Sequence, residues 1–293
     1  MLAANFDFLE PETLDEALDA LFENDGAIPI AGGTDLIRDI DLGKKKPTLV
    51  VSLARIGELQ GIRVEAGEMI IGPLTTMSAI AKSSEVKTRL AALKEAASRM
   101  GTPQVRNRAT FGGNLCNARP AADTAPPAIV AGGIMELIGK DRSKTVPSHK
   151  FFLGPGKTVM RSSDLLRAIR FPRLPPNTGT AFVTMTNRKS AEITVTSVTA
   201  RITLESLDGK IKDASLCLGA VGPVPLTAPK AVSQLIGKSP GPETFKKAAI
   251  AAIEDSKPID DFRGTSQFRK WLVQSLTMRA LRSAFERARG GEF

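Results

Sequence analysis

Tyrosine is absent from this chain, and histidine and tryptophan occur once each, as His149 and Trp271. With aromatics at only 5% of residues, stacking bases on an aromatic platform is excluded as the main way of working. Cysteine is as scarce, with Cys116 and Cys217 the only two. Together with one histidine they cannot give four ligands to a zinc ion or hold an iron–sulfur cluster. A Ser-His-Asp triad would have to use His149, which sits in the polar stretch Ser143-Lys144-Thr145-Val146-Pro147-Ser148-His149, read here as an exposed loop. Redox chemistry in such a chain calls for an organic carrier bound without metal ligands.

Long apolar runs are missing too. The longest, Pro126 to Met135, ends at Glu136 and falls short of the roughly 18–20 residues that span a bilayer. Met1 to Glu10 carries neither a basic n-region nor an apolar h-region, so no signal peptide is expected. Few cysteines and no export signal make a cytoplasmic setting the expectation.

What is present is ordinary globular composition over 293 residues: 42% hydrophobic, 24% charged, 25 Gly and 19 Pro. That length suits two or three domains, each with its own core. The net charge of +9 points to an acidic partner, which leaves nucleic acid, a phosphate-bearing ligand or an acidic protein surface open. Lys and Arg are scattered, with no dense run beyond Lys44 to Lys46, so nucleic-acid binding is the weaker of these readings.

Local signals alternate between helix and strand. Thr13-Leu14-Asp15-Glu16 is a capping box ahead of Leu14, Ala17, Leu18, Leu21 and Phe22 at helical spacing. Ala27 to Ile30 reads as a short strand, a short helix is expected around Leu36 to Ile40, and Thr48 to Leu53 reads as a buried parallel strand. Two strands joined at Gly67 follow, then a helix at 77–81 and another from Val86 to Met100, stopped by Gly101-Thr102-Pro103. A glycine- and asparagine-rich loop, Ala109 to Arg119, precedes a helix near 123–131 and strands at 134–138 and 165–171. Three prolines between Pro172 and Thr178 mark a boundary. Strands near 180–186, 194–204 and 211–221 come next, then helices near 228–236, 242–254 and 264–288. In the last, Phe268, Trp271, Leu272, Ser275, Leu276, Met278, Leu281 and Phe285 form a stripe read as the face packed on its own sheet.

The chemistry lies in two short segments. Pro29-Ile30-Ala31-Gly32-Gly33-Thr34-Asp35 follows a strand, and Thr110-Phe111-Gly112-Gly113-Asn114 lies in the second loop. Paired glycines permit positive φ, turn consecutive amides toward one point and let backbone touch a diphosphate. Thr34 and Thr110 add hydroxyls, and Asn114 adds a donor and an acceptor. Arg106, Arg108 and Arg119 surround the second segment as sources of positive potential. A tight turn is the commoner explanation of one such pair; two of them can clamp a dinucleotide from opposite sides. Neither segment contains Gly-x-Gly-x-x-Gly or a Gly-Lys-Ser/Thr phosphate loop.

Ala31-Gly32-Gly33-Thr34-Asp35-Leu36, with Thr110 to Ala118 and Pro120-Ala121-Ala122-Asp123, resembles the FAD-binding medium subunits of the molybdenum hydroxylases, the xanthine dehydrogenase and carbon monoxide dehydrogenase family. Gly101 to Arg108, Asp164 to Pro172 and Leu218 to Pro225 extend the resemblance over nearly the whole chain. It implies a mixed α/β (α+β) fold. A two-subdomain FAD-binding unit of the vanillyl-alcohol-oxidase/MurB type is expected, at 1–55 and 56–175, with a smaller C-terminal α+β domain at 176–293. By position, Pro29, Ile30, Ala31, Gly32, Gly33, Thr34 and Asp35 with Thr110, Gly112, Gly113 and Asn114 would bind the diphosphate and adjoining sugar. Asp123 would hydrogen-bond the flavin side, Leu166 would pack near it, and Ile193 would lie against the isoalloxazine ring. No proton-transferring residue and no metal ligand is implied. Many relatives carry a lysine where this chain has Thr184, and Arg188 or Lys189 stand nearest to replace it.

The resemblance further implies partners: a [2Fe-2S] small subunit that delivers electrons and a molybdopterin large subunit that oxidises the substrate. An external acceptor such as NAD, a quinone or oxygen would follow. A stand-alone FAD oxidoreductase of the same fold is the alternative.

Overall fold

The structure is a computed structural model that describes residues 5–188 and 191–291. The chain enters on β1 (Asp7–Leu9), crosses by α1 (Leu14–Glu23) to β2 (Ala27–Ile30), and passes α2 (Leu36–Asp41) to reach β3 (Leu49–Ser52). Thr13 accepts from the Glu16 amide and the Glu16 carboxylate takes the Thr13 amide, so the capping box forms as its sequence requires. Leu14, Ala17, Leu18 and Leu21 are buried in one cluster with Val51. β3 lies between β1 and β2, parallel to both, with Pro29 opposite Val51 and Ile30 opposite Ser52. Parallel pairing requires a crossover, and it leaves the segment after β2 at the carboxyl edge of this sheet, where ligands of α/β sheets gather.

A hairpin of β4 (Ile62–Glu65) and β5 (Glu68–Ile71) turns at Ala66 and Gly67, both with positive φ. Helices α3 (Met77–Lys82), α4 (Ser84–Arg89), α5 (Ala91–Arg99), α6 (Pro103–Arg108), α7 (Phe111–Asn117) and α8 (Ala125–Val130) follow. The single helix expected from Val86 to Met100 is thus two, broken at Leu90, which leaves helical backbone at φ −136° and ψ 54°. A partner distant in sequence takes an amide in the first turn of α5: the Thr180 hydroxyl accepts from the Ala92 amide at 3.2 Å. Pro103 does not merely stop a helix; it opens α6 at its first position, behind the Thr102 cap.

Strands β6 (Ile134–Gly139), β7 (Arg142–Pro147), β8 (Phe152–Gly154), β9 (Lys157–Thr158) and β10 (Leu165–Phe171) come next. The polar stretch read as a loop is therefore largely β7, a polar edge strand in which only Val146 is buried; His149 follows it and is exposed. β10 is the middle strand of an antiparallel sheet ordered β4-β5-β10-β6-β7. Alternation sends Leu165 into the core shared with α1 and Leu166 into the core of Phe111 and Leu115.

Beyond Pro172, β11 (Thr178–Met185), β12 (Thr196–Leu204), β13 (Ile211–Gly219) and β14 (Leu226–Thr227) form an antiparallel sheet in sequence order. α9 (Pro229–Ser233), α10 (Pro242–Asp255) and α11 (Ser266–Ala288) complete the chain. The face α11 buries is Arg269, Val273, Leu276, Thr277, Ala280, Leu281, Ala284 and Ala288, rotated from the stripe expected. Trp271 is left 62% exposed. Close approach fits the rotation: a Cβ on Gly179 of β11 would overlap the Ala284 carbonyl, so at that crossing the helix presents Ala284 and Ala288 to the sheet. Among the described residues, no helix is long and apolar enough to cross a membrane.

Candidate functional site

β2 delivers the chain into the first glycine segment at the sheet edge. A Cβ on Gly32 would overlap the Arg108 carbonyl at the end of α6, and Gly33 holds φ at +74°. Both positions therefore exclude ordinary side chains, one by contact and one by conformation. Among the described residues no protein acceptor takes the amides of Gly32, Gly33 or Thr34. The Asp35 carboxylate does not cap α2. It accepts from Asn117 Nδ2 at 2.8 Å and lies 3.5 Å from Arg119, which ties the first segment to the end of α7.

The second glycine segment differs from the loop expected, because Gly112 and Gly113 occupy the first turn of α7. Thr110 is its cap and accepts from the Gly113 amide at 3.1 Å. Phe111 donates to Thr75 O at 2.9 Å and Gly112 to Pro73 O at 2.8 Å. The convergent free amides read from the sequence are consequently not here. What glycine supplies instead is contact: a Cβ on Gly112 would run into Pro73, and one on Gly113 would lie 2.8 Å from Thr110 Oγ1 and 3.9 Å from the Ala31 Cβ. Asn114 Oδ1 accepts from the Thr124 hydroxyl at 2.6 Å, fixing the turn that follows α7.

The two segments therefore meet, and a cleft of about 670 Å³ opens along the first. Gly32, Gly33 and Thr34 line it with Ile30, Ile37, Arg38, Asp41 and Arg108, whereas Thr110 to Asn114 do not reach its lining. Of the three arginines named from the sequence, Arg106 donates to the Met100 carbonyl and Arg119 pairs with Asp35 and Asp39. Arg108 has no carboxylate or carbonyl partner among the described residues, nor has Arg38. Arg38 and Asp41 escaped the sequence reading; the signal available was the helical spacing that puts Arg38 four residues after Thr34.

Asp123 lies between α7 and α8, where it accepts from Thr194 Oγ1 at 2.6 Å. Burial pushes its carboxyl up to about 6, against the pull of the Thr194 hydrogen bond. Thr194 Oγ1 is also 3.0 Å from Thr184 Oγ1, so Asp123, Thr194 and Thr184 form one chain of polar contacts from the segment after α7 to the last sheet. Thr194 was not foreseen, although it adjoins Ile193. Ile193 itself is 44% exposed, and Leu166 is buried beneath the middle sheet. Arg188 is paired with Glu192, and Lys189 lies outside the described residues.

Residues 4–174 match the family described as the FAD binding domain in molybdopterin dehydrogenase. Residues 181–284 match the CO dehydrogenase flavoprotein C-terminal domain. The carbon monoxide dehydrogenase medium chain of Hydrogenophaga pseudoflava is 30% identical over 288 residues, covering 98% of this chain and 99% of that protein. The xanthine dehydrogenase FAD-binding subunit of Escherichia coli O157:H7 is 29% identical over 280 residues, covering 95% of each. A solved carbon monoxide dehydrogenase of H. pseudoflava, in a form lacking the Mo-pyranopterin moiety of its molybdenum cofactor, superposes with a TM-score of 0.93 at 30% identity. The match covers 98% of this chain and 99% of that one.

Proposed function

The chain belongs to the FAD-binding subunits of the molybdopterin dehydrogenase family, and from that membership we propose that it is the flavin-carrying electron-transfer subunit of a molybdenum hydroxylase complex. It is an oxidoreductase subunit, and its cofactor is FAD. In this reading a [2Fe-2S] small subunit supplies electrons drawn from substrate at a molybdopterin large subunit. They leave to NAD, a quinone or another external carrier, in the cytoplasm. Residues 1–55 and 56–175 would hold the cofactor between them, with 176–293 following as the C-terminal domain.

The observation that carries this reading is the wall of the cleft. Gly32, Gly33 and Thr34 offer amide donors without protein acceptors among the described residues, on the lining of a cleft open to solvent. A diphosphate, which has only acceptor oxygens, fits such a donor set. FAD supplies the redox chemistry, accepting and releasing electrons. The residues of this chain hold and orient it: Gly32 to Thr34 at the diphosphate, Asp35 by fastening the first segment to α7, and Thr110, Gly112, Gly113 and Asn114 by shaping the wall behind. Pro29, Ile30 and Ala31 aim the first segment, while Asp123, Leu166 and Ile193 serve the flavin end.

The purified chain is expected to retain FAD, seen as a flavin absorption spectrum and as FAD released on denaturation. Gly33→Asp sets a carboxylate beside the free amides and should abolish retention while the fold survives, as judged by circular dichroism. A colourless wild-type chain that also ignores added FAD would overturn the proposal.

A further inference from the structure

The first segment's amides account for hydrogen bonds to a diphosphate but not for its charge. An ionised diphosphate brought to a protein surface needs cations, and those that surround the two glycine segments are not equally available. Arg106 is held by the carbonyls of Met100 and Gly101, and Arg119 is neutralised by Asp35 and Asp39. Arg38, one turn beyond Thr34 on α2, and Arg108, whose carbonyl abuts Gly32, are different. Both line the cleft and neither guanidinium has a carboxylate or carbonyl partner among the described residues. Asp41 is the acidic residue on the same lining, so two arginines against one carboxylate leave the cleft net positive.

We propose that Arg38 and Arg108 are the charge partners of the cofactor's diphosphate and set how tightly its adenosine diphosphate half is held. This rests on the FAD reading above. The placement divides the labour at the wall: backbone amides give direction to the phosphate oxygens, and the two guanidiniums give the electrostatic attraction. They flank the amides from different elements, α2 and the end of α6, so neither can replace the other. Arginine suits this task because its planar fork meets two phosphate oxygens at once. It also makes binding sensitive to ionic strength, since the cleft faces solvent.

The test uses the full chain, freed of flavin, with ADP alone and then FAD as probes, read by calorimetry and by flavin fluorescence. Arg38→Gln and Arg108→Gln should each raise the Kd for ADP about tenfold, and the double variant about a hundredfold, as expected for one and two charge-assisted contacts open to solvent. Salt should weaken the wild type more than the double variant, and Arg38→Lys with Arg108→Lys should recover part of the affinity. Arg279→Gln, which removes the same charge from the exposed side of α11, should change nothing. Thermal unfolding midpoints matching wild type exclude a folding defect. If the glutamine variants bind ADP and FAD as wild type does, with an unchanged salt response, this inference fails and the FAD reading stands. If the wild type binds neither probe, both fail.

Discussion

Gly32-Gly33 and Gly112-Gly113 look alike in the sequence, each followed by a polar residue and soon by a leucine, yet their amides have opposite fates. The first pair leaves a parallel strand and turns through a positive φ, and its N–H groups find no protein acceptor among the described residues. The second enters a capped helix, where Thr110 and Pro73 take the Gly113 and Gly112 amides. The lesson is that a diglycine can be selected for two separate reasons. One is freedom of conformation with donors exposed, and the other is removal of Cβ so that two backbones can touch.

Substitutions at the two pairs can break this comparison. The largest effect is expected for Gly32→Val, whose side chain must displace the Arg108 backbone: about 3 kcal/mol of stability by denaturant titration, together with loss of FAD. A variant that keeps wild-type stability would show that Gly32 does not abut the end of α6. Thr110→Ala removes a helix cap and should cost about 1 kcal/mol. Because the first segment's amides stay in place, FAD retention should largely survive; complete loss would mean that the second segment is the principal diphosphate holder.

The smallest effect concerns the tie from the second segment to the last sheet. Asp123 titrates near 3.8 when unfolded and at about 6 when folded, so between those values the folded chain holds a proton the unfolded chain has lost. Stability should therefore decline as pH rises through that window, and the loss is complete above it. Asp123→Asn, which still accepts from Thr194, should flatten this dependence by an amount on the order of 1 kcal/mol, the carboxyl being partly solvated. Parallel stability–pH curves for wild type and variant would show that Asp123 is not shifted.

Much of the frame was legible because local signals agreed with it. The capping box at Thr13, the turn at Gly67 and the apolar strand at Leu165 to Phe171 each carry their own cause within a few residues. Three readings went astray where the cause lay elsewhere. Leu90 broke an apparently continuous helix, and an amide at the new start is taken by Thr180, some ninety positions away. The polar stretch Ser143 to Pro147 became a strand because it needed only one neighbour and little burial. The phase of α11 was set by Gly179 pressing on Ala284, which no helical periodicity reports.

For the site, the amino-acid order pointed to the two glycine pairs, Asp35 and Asp123, and the likeness of the motifs around them to the molybdenum hydroxylase medium subunits gave the family. It could not say which pair keeps its amides free, since that depends on whether Pro73 and Thr75 arrive with their carbonyls. Nor could it separate Arg108, without a carboxylate or carbonyl partner among the described residues, from Arg106, held by the Met100 carbonyl, and Arg119, paired with Asp39. Motifs record which atoms a chain owns. Availability of those atoms is a property of distant neighbours, and three-dimensional packing alone brings them near.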